Sequence, residues 1–186
     1  PAGSTLTLSG GESRLVLDGA SVKASAAMVT SAGTLELTNV DAKNAVNSKT
    51  GGAVYLTAGK LSVSGCRFTG NSAKTGGAID TKTKVGIQMT VADSTFSANT
   101  ATTNGGAINL MDTNTMTATN TAFTGNKTTK SAANKGGAAV YVANTSASFD
   151  GCTFTENTVA GNTDSVGGAL CFYAVSASQT AITVSG

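Results

Sequence analysis

The sequence contains no histidine and no tryptophan, and its single proline is the first residue. Without histidine, no Ser or Cys can be activated by an imidazole base, which excludes the common nucleophilic enzymes. The three cysteines form no C-x-x-C pair, so a structural zinc site is excluded as well. A phosphate-binding loop of the G-x-x-x-x-G-K type is also missing. We therefore expect neither a metal nor an organic cofactor.

Charged residues are scarce, at 12% of the chain, and the net charge is only +2. No run of Lys and Arg is interleaved with stacking aromatics, so nucleic acid is not an expected partner. No stretch approaches the roughly 18 apolar residues of a membrane-spanning helix, so we expect no membrane insertion by this segment. Because 40% of the residues are hydrophobic, the chain is expected to fold around a core.

A short phrase recurs along the chain: Phe-x-x-Asn, followed by Gly-Gly-Ala and an aliphatic residue. The Gly-Gly pairs begin at positions 51, 76, 105, 136 and 167, which are 25, 29, 31 and 31 residues apart. Repeats at this spacing are typical of a solenoid. The repeated residues are Phe68, Asn71, Gly76, Gly77, Phe96, Asn99, Gly105, Gly106, Phe123, Asn126, Gly136, Gly137, Phe154, Asn157, Gly167 and Gly168.

Upstream of each Phe, apolar and polar residues alternate with period two, which indicates strands with one buried face. One apolar column contains Leu15, Leu35, Leu61, Met89, Met116 and Ala147, and the next contains Leu17, Leu37, Val63, Val91, Ala118 and Phe149. After a one-residue slip, the third contains Ala20, Val40, Cys66, Ser94, Thr121 and Cys152, and the fourth contains Val22, Ala42 and the four phenylalanines. The slip indicates a bend that joins two strands.

The stretch after each Gly-Gly supplies a third strand. The sequence therefore predicts an all-β, right-handed parallel β-helix with three short strands per rung and about six to seven rungs, a rung being one turn of the solenoid. Right-handedness is expected from the general handedness of parallel crossovers.

We interpret residues 1–186 as a single β-helix segment of a longer chain. Residues 1–50 form degenerate rungs, residues 51–172 form regular rungs, and residues 173–186 begin a further rung, in which Ile182 aligns with Leu61 and Val184 with Val63. The solenoid ends offer a route to self-association, because an uncapped end exposes strand edges.

Equivalent residues of successive rungs lie on top of one another, so we expect the phrase to build the solenoid rather than to contact a ligand. The Phe rings should stack, the Asn amides should form a ladder, and the glycines should allow a tight corner. Cys66 and Cys152 share a column but lie three rungs apart, roughly 14 Å at strand spacing, so we expect that they are not bonded to each other.

The segments between Asn and Gly-Gly vary in length and are expected to project as loops from one edge, where binding is often located. Five lysines fall in these segments: Lys49, Lys74, Lys127, Lys130 and Lys135, with Asp164 as the only acid. Stacking would gather them into a basic ridge that attracts a sulfated glycan or an acidic receptor. The alternative is that they are ordinary solubilising charges.

The alternating tetrapeptides resemble the signature of the chlamydial polymorphic membrane proteins, which are autotransporters with a repeat-rich secreted passenger. The resemblance covers residues 51–172; before that, SAAM at 25–28 stands in place of GGAV and Ala42 in place of Phe. It implies a surface-displayed adhesin, at the cell surface, associated with the outer membrane, or secreted. It also implies a partner on the host cell, either a protein or a glycan.

An enzymatic alternative remains open, because parallel β-helices commonly support polysaccharide lyases and hydrolases. Asp80 and Asn109 share a column and Asp112 lies nearby in sequence, so a carboxylate pair on neighbouring rungs is conceivable. Only Arg14 and Arg67 are available as guanidinium groups. The preferred interpretation is a non-enzymatic segment.

Overall fold

The computed structural model describes residues 3–131, 136–161, 167–174 and 181–186. Its strands form four parallel sheets, and these residues contain no helix. One sheet has seven strands and the other three have six, so the described residues form six rungs and the first strand of a seventh. The predicted class, a parallel β-helix of six to seven rungs, is confirmed.

Each rung passes through the four sheets in turn. The first sheet contains β1 Thr5–Ser9, β5 Thr34–Thr38, β9 Lys60–Ser64, β13 Gln88–Ala92, β17 Thr115–Thr119, β21 Ser146–Asp150 and β25 Ile182–Ser185. The second contains β2 Leu15–Asp18, β6 Val40–Lys43, β10 Arg67–Thr69, β14 Thr95–Ser97, β18 Ala122–Thr124 and β22 Thr153–Thr155. The two sheets meet at the predicted bend.

The third and fourth sheets complete the rung. The third contains β3 Lys23–Ala24, β7 Val46–Asn47, β11 Ser72–Thr75, β15 Thr100–Asn104, β19 Lys127–Ser131 and β23 Thr158–Gly161. The fourth contains β4 Val29–Ser31, β8 Val54–Leu56, β12 Ile79–Thr81, β16 Ile108–Met111, β20 Val140–Ala143 and β24 Leu170–Tyr173. The Gly-Gly corner separates them.

The prediction of three strands per rung was wrong, because the residues directly after each Asn form a strand of the third sheet. The later parts of the segments after Asn126 and Asn157, residues 132–135 and 162–166, lie outside the described residues. In β11 and β15, Ala73 pairs with Ala101, and both side chains are buried. These segments differ in sequence mainly at their exposed positions. Their inward positions are occupied by small residues such as Ala73 and Ala101, and the variable exposed residues between these positions obscure the repeat in the sequence.

The predicted columns were also wrong in the first rung. Leu6 and Leu8 pair with Leu35 and Leu37, so β1 is the true first-sheet strand. Leu15 lies one sheet later and pairs with Val40. Both segments alternate Leu with other residues, and period-two alternation does not reveal to which sheet a strand belongs. At the glycine corner the first rung is likewise displaced by one residue, so AAMV at 26–29, rather than SAAM, aligns with GGAV.

The Phe rings fill the interior as a stack. Centroid separations are 4.8 Å for Phe68–Phe96, 5.0 Å for Phe96–Phe123 and 4.9 Å for Phe123–Phe154, with near-parallel planes. Phe149 meets Phe123 and Phe154 edge-on. Each aromatic pair contributes about 0.5–1.5 kcal/mol beyond its buried area, so the column ties successive rungs together.

A ladder of Asn side chains runs beside this stack. Asn71 Nδ2 donates to Asn99 Oδ1 at 3.0 Å and to the carbonyl of Ala42 at 2.9 Å, and the backbone N–H of Asn71 also donates to Asn99 Oδ1. The same contacts link Asn99 to Asn126 and Asn126 to Asn157. Each amide therefore spans three rungs and satisfies backbone groups that the corner would otherwise bury without partners.

The two glycines of each pair serve different needs. Gly76 has a φ of +55°, which favours glycine, whereas a Cβ on Gly77 would lie 2.1 Å from the carbonyl oxygen of Gly106. In the pair that begins at 136, the motif is shifted by one residue: Gly137 takes the first position with φ of +63°, and Ala138 takes the second. The repeat pattern alone did not reveal this shift.

Candidate functional site

Four of the five predicted ridge lysines, Lys49, Lys74, Lys127 and Lys130, are exposed on the third sheet or directly after one of its strands. We call them the lysine surface. Lys135 and Asp164 lie outside the described residues.

The lysine surface consists of two pairs. Lys49 and Lys74 lie on adjacent rungs, since the Lys74 N–H donates to the Lys49 carbonyl at 2.8 Å. The next strand, β15, contains no lysine, so Lys127 and Lys130 on β19 lie two rungs from Lys74, about 10 Å at strand spacing. The predicted continuous ridge is therefore interrupted by one uncharged rung.

Among the described residues, the lysine surface has no salt-bridge partner and no acidic residue within its strands. The described strands of the third sheet contain no Asp or Glu. Among the residues that the structure describes, the salt bridges are Arg14–Asp41 and Lys43–Asp18, and neither involves the lysine surface. The third sheet therefore presents positive potential to solvent.

Lys23 also belongs to this face, and the sequence interpretation missed it. It lies in β3, is exposed, and pairs with Val46 of the second rung. The first rung was aligned one sheet too early, so Lys23 was not recognised as part of the third sheet. Its position after two complete strands, β1 and β2, is the signal that would have identified it.

A polar pocket lies around the corner, on the fourth sheet. Tyr55, Asp80 and Asn109 are in register on three adjacent rungs, as predicted for Asp80 and Asn109. They line a cavity of about 200 Å³, together with Thr50, Thr75, Thr81, Lys82, Thr83 and Met111. Thr50 and Thr75 directly follow Lys49 and Lys74 in sequence, so the pocket adjoins the lysine surface.

Asp80 is 2% exposed and accepts three hydrogen bonds. Its Oδ1 receives the Thr81 backbone N–H and Asn109 Nδ2, each at 2.8 Å, and its Oδ2 receives Thr75 Oγ1. Burial raises the pKa of Asp80 to about 6, although the three hydrogen bonds act in the opposite direction. Burial and the charge of Asp80 also raise the pKa of Tyr55.

The predicted carboxylate pair does not form at this pocket. Asp112 is not among the lining residues, and its Oδ1 accepts a hydrogen bond from Asn144 Nδ2 at 3.3 Å. Arg14 and Arg67 belong to the second-sheet side, where Arg14 binds Asp41 and the Gly65 carbonyl. Among the described residues, no group of three His, Cys, Asp or Glu is placed to hold a metal ion. The lining residues therefore include a single carboxylate.

The Phe and Asn residues of the repeated phrase lie in the interior and contact their equivalents in neighbouring rungs. Phe68, Phe96 and Phe123 are fully buried, and Asn71, Asn99 and Asn126 are equally inaccessible. Phe154 and Asn157 are partly buried in the last complete rung.

Cys66 and Cys152 are not bonded to each other, as expected. Cys66 is buried, and burial raises the pKa of its thiol. Cys171 is buried with Tyr141 and Ala143 in a small cluster separate from the main core, and Cys152 is half-buried.

No helix in the described part of the chain is long and apolar enough to cross a membrane. Comparison with curated proteins and with solved structures found no significant match. The family model described as "Right handed beta helix region" matches residues 17–185, which is most of the chain. The chain therefore belongs to the right-handed β-helix family.

Proposed function

We propose that this chain is a non-enzymatic, surface-displayed β-helix segment that acts as an adhesin or scaffold and binds an acidic glycan or an acidic receptor surface. The observation that supports the proposal is the lysine surface on the third sheet, which forms no salt bridge among the described residues. Lysines on a rigid solenoid keep fixed separations, so a repeating anionic polymer can meet several of them at once. Such binding is multivalent and weakens as salt rises.

The similarity of the repeats to those of the chlamydial polymorphic membrane proteins supports the cellular setting of this proposal. In that setting, the segment belongs to an autotransporter passenger displayed on the cell surface, and the lysine surface faces the host. The long parallel core provides a stiff support for this display.

Binding to immobilised heparin tests the proposal. Two double variants, Lys49→Gln/Lys74→Gln and Lys127→Gln/Lys130→Gln, should each weaken binding by about 5-fold or more and reduce its salt dependence. The matched control is Lys60→Gln/Lys84→Gln, which removes the same charge from exposed positions on other faces. Equal losses in all three variants would show that only net charge matters, and unchanged binding in both test variants would reject the lysine surface.

A lyase or hydrolase is the second candidate, supported by the raised pKa of Asp80, which brings one carboxyl group close to neutrality. Incubation with pectins, glycosaminoglycans and host glycans tests it directly. New reducing ends or unsaturated products that disappear in Asp80→Asn would establish catalysis and overturn the non-enzymatic proposal.

A further inference from the structure

Asn109 contains a buried polar atom without a partner. The residue is 3% exposed and lines the polar pocket, and its Oδ1 accepts no hydrogen bond. Leaving a buried acceptor unpaired is unfavourable, because the atom loses its hydrogen bonds to water and gains none in return. Such an atom on the wall of a cavity is expected where a ligand or a bound water supplies the missing donor.

The orientation of this amide follows from Asp80. Asn109 Nδ2 donates to Asp80 Oδ1 at 2.8 Å, and the opposite orientation would place two oxygens against each other. Asn109 Oδ1 is therefore held on the side away from the carboxylate. Asp80 retains free lone pairs, because two oxygens provide about four acceptor sites and three are used. The pocket wall thus offers acceptors on two adjacent rungs.

The remaining lining residues narrow the choice of ligand. Tyr55 contributes an aromatic ring next to Asp80, and four threonines contribute hydroxyl groups. An anion would meet the buried carboxylate, and an apolar ligand would leave both acceptors unpaired. A cation would be repelled by Lys82 and by the neighbouring lysine surface. A neutral ligand with several hydroxyl donors and an apolar face satisfies all of these groups.

We propose that this pocket binds one neutral saccharide ring, with Asp80 and Asn109 accepting hydrogen bonds from adjacent hydroxyl groups and Tyr55 packing against the ring. The cavity of about 200 Å³ is smaller than the roughly 300–1,000 Å³ of sites for drug-sized ligands, so it favours one ring over an oligosaccharide. This contact would extend the proposed binding function, but its residues are not those of the lysine surface. The two can therefore fail separately.

Titration of the whole chain with simple sugars, followed by amide NMR shifts, tests the inference. The probes are methyl α-mannoside, methyl β-galactoside and N-acetylglucosamine, with cis-1,2-cyclohexanediol as a minimal diol and cyclohexanol as the negative probe. At least one sugar should bind saturably and shift the amide signals of Thr75, Thr81 and Asn109. Cyclohexanol should not.

Asp80→Asn removes the charge of the carboxylate but keeps its local hydrogen bonds. The amide oxygen in place of Oδ1 can still accept from Thr81 and Asn109, and Nδ2 can donate to Thr75 Oγ1. It should weaken sugar binding about tenfold by removing the charge-assisted hydrogen bond, without lowering stability. Tyr55→Ala should weaken it more than Tyr55→Phe does. Thr117→Ala, an exposed change on the first sheet, should have no effect.

Three outcomes would overturn the inference: no probe shifts the pocket signals, binding is insensitive to both Asp80→Asn and Tyr55→Ala, or the only occupant found at Asn109 Oδ1 is an ordered water. Heparin binding of Asp80→Asn tests whether the pocket and the lysine surface are separate sites. If only the lysine surface binds heparin, the variant should bind it as tightly as the unaltered chain does. A loss of heparin binding together with a loss of sugar binding would show that the two are one site.

Discussion

The first rung and the central rungs have the same architecture but differ in what connects them to their neighbours. In the first rung, Leu6 is 48% exposed although it pairs with the fully buried Leu35, whereas Phe96 in the fourth rung is fully buried. The first rung lacks the Phe, the Asn and the glycine pair, and besides strand pairing it is joined to the second rung by the ion pairs Arg14–Asp41 and Lys43–Asp18 near the surface. The comparison shows that a rung stacks without the repeated phrase, while the phrase supplies buried side-chain contacts between the central rungs.

The largest expected difference concerns the aromatic column. Phe123→Ala should cost about 3–5 kcal/mol, because the ring is fully buried and contacts Phe96, Phe149 and Phe154. Leu6→Ala, in the first rung, should cost less than half as much because the side chain is half-exposed. Denaturant unfolding of both variants checks this. Similar losses would mean that the Phe column does not distinguish the central rungs.

The second prediction concerns the buried carboxyl group of Asp80 in the third rung. The folded-state pKa of Asp80, about 6, lies above the ordinary value of 3.8, so its protonated form is favoured by folding. The contribution of Asp80 to stability should be highest below pH 3.8, fall as pH rises to about 6, and then level off. Asp80→Asn removes this loss and should stabilise the chain by up to about 3 kcal/mol at pH 8 and by little at pH 4. A pH-independent difference would show that Asp80 is not desolvated.

The third prediction interrupts the ladder. Asn99→Ala should cost about 2–3 kcal/mol, since it leaves the Asn71 N–H without an acceptor and the Phe68 carbonyl without the Asn99 amide. The matched control is Thr117→Ala on the exposed first-sheet face, which should change stability by less than about 0.5 kcal/mol. Amide hydrogen exchange should show faster exchange at Asn71 in the variant. Unchanged exchange there would contradict the ladder.

The smallest predicted effect extends the ladder toward the first rung. Ala45 occupies the Asn position in the second rung, and its N–H donates to Asn71 Oδ1 at 3.1 Å. Ala45→Asn should add a side-chain donor to that oxygen and stabilise the chain by about 1 kcal/mol, if the corner accommodates the amide. Thermal unfolding measures the gain. A loss of stability would show that the second-rung corner is too tight for the full phrase.

The sequence by itself determined the parallel β-helix, the register of the first and second sheets after the first rung, and the stacking of the Phe and Asn residues of the phrase. Residues such as Phe96 and Asn99 recur at equivalent positions, and stacking brings equivalent residues together whatever path the rest of the rung takes. The register of Ile182 with Ala147 likewise follows from alternation within a single strand.

Only the tertiary structure decided the third sheet, the placement of the first rung and the environment of Asp80. Period-two alternation reports that a segment is a strand, but it does not report which sheet the strand joins, and so Leu15 was misplaced and Lys23 was missed. Burial of Asp80 depends on Tyr55 and Asn109, which lie 25 and 29 residues away in sequence and become its neighbours only when the rungs stack. Local pattern specifies the conformation of each segment, whereas the path of the chain around the corners decides which segments meet.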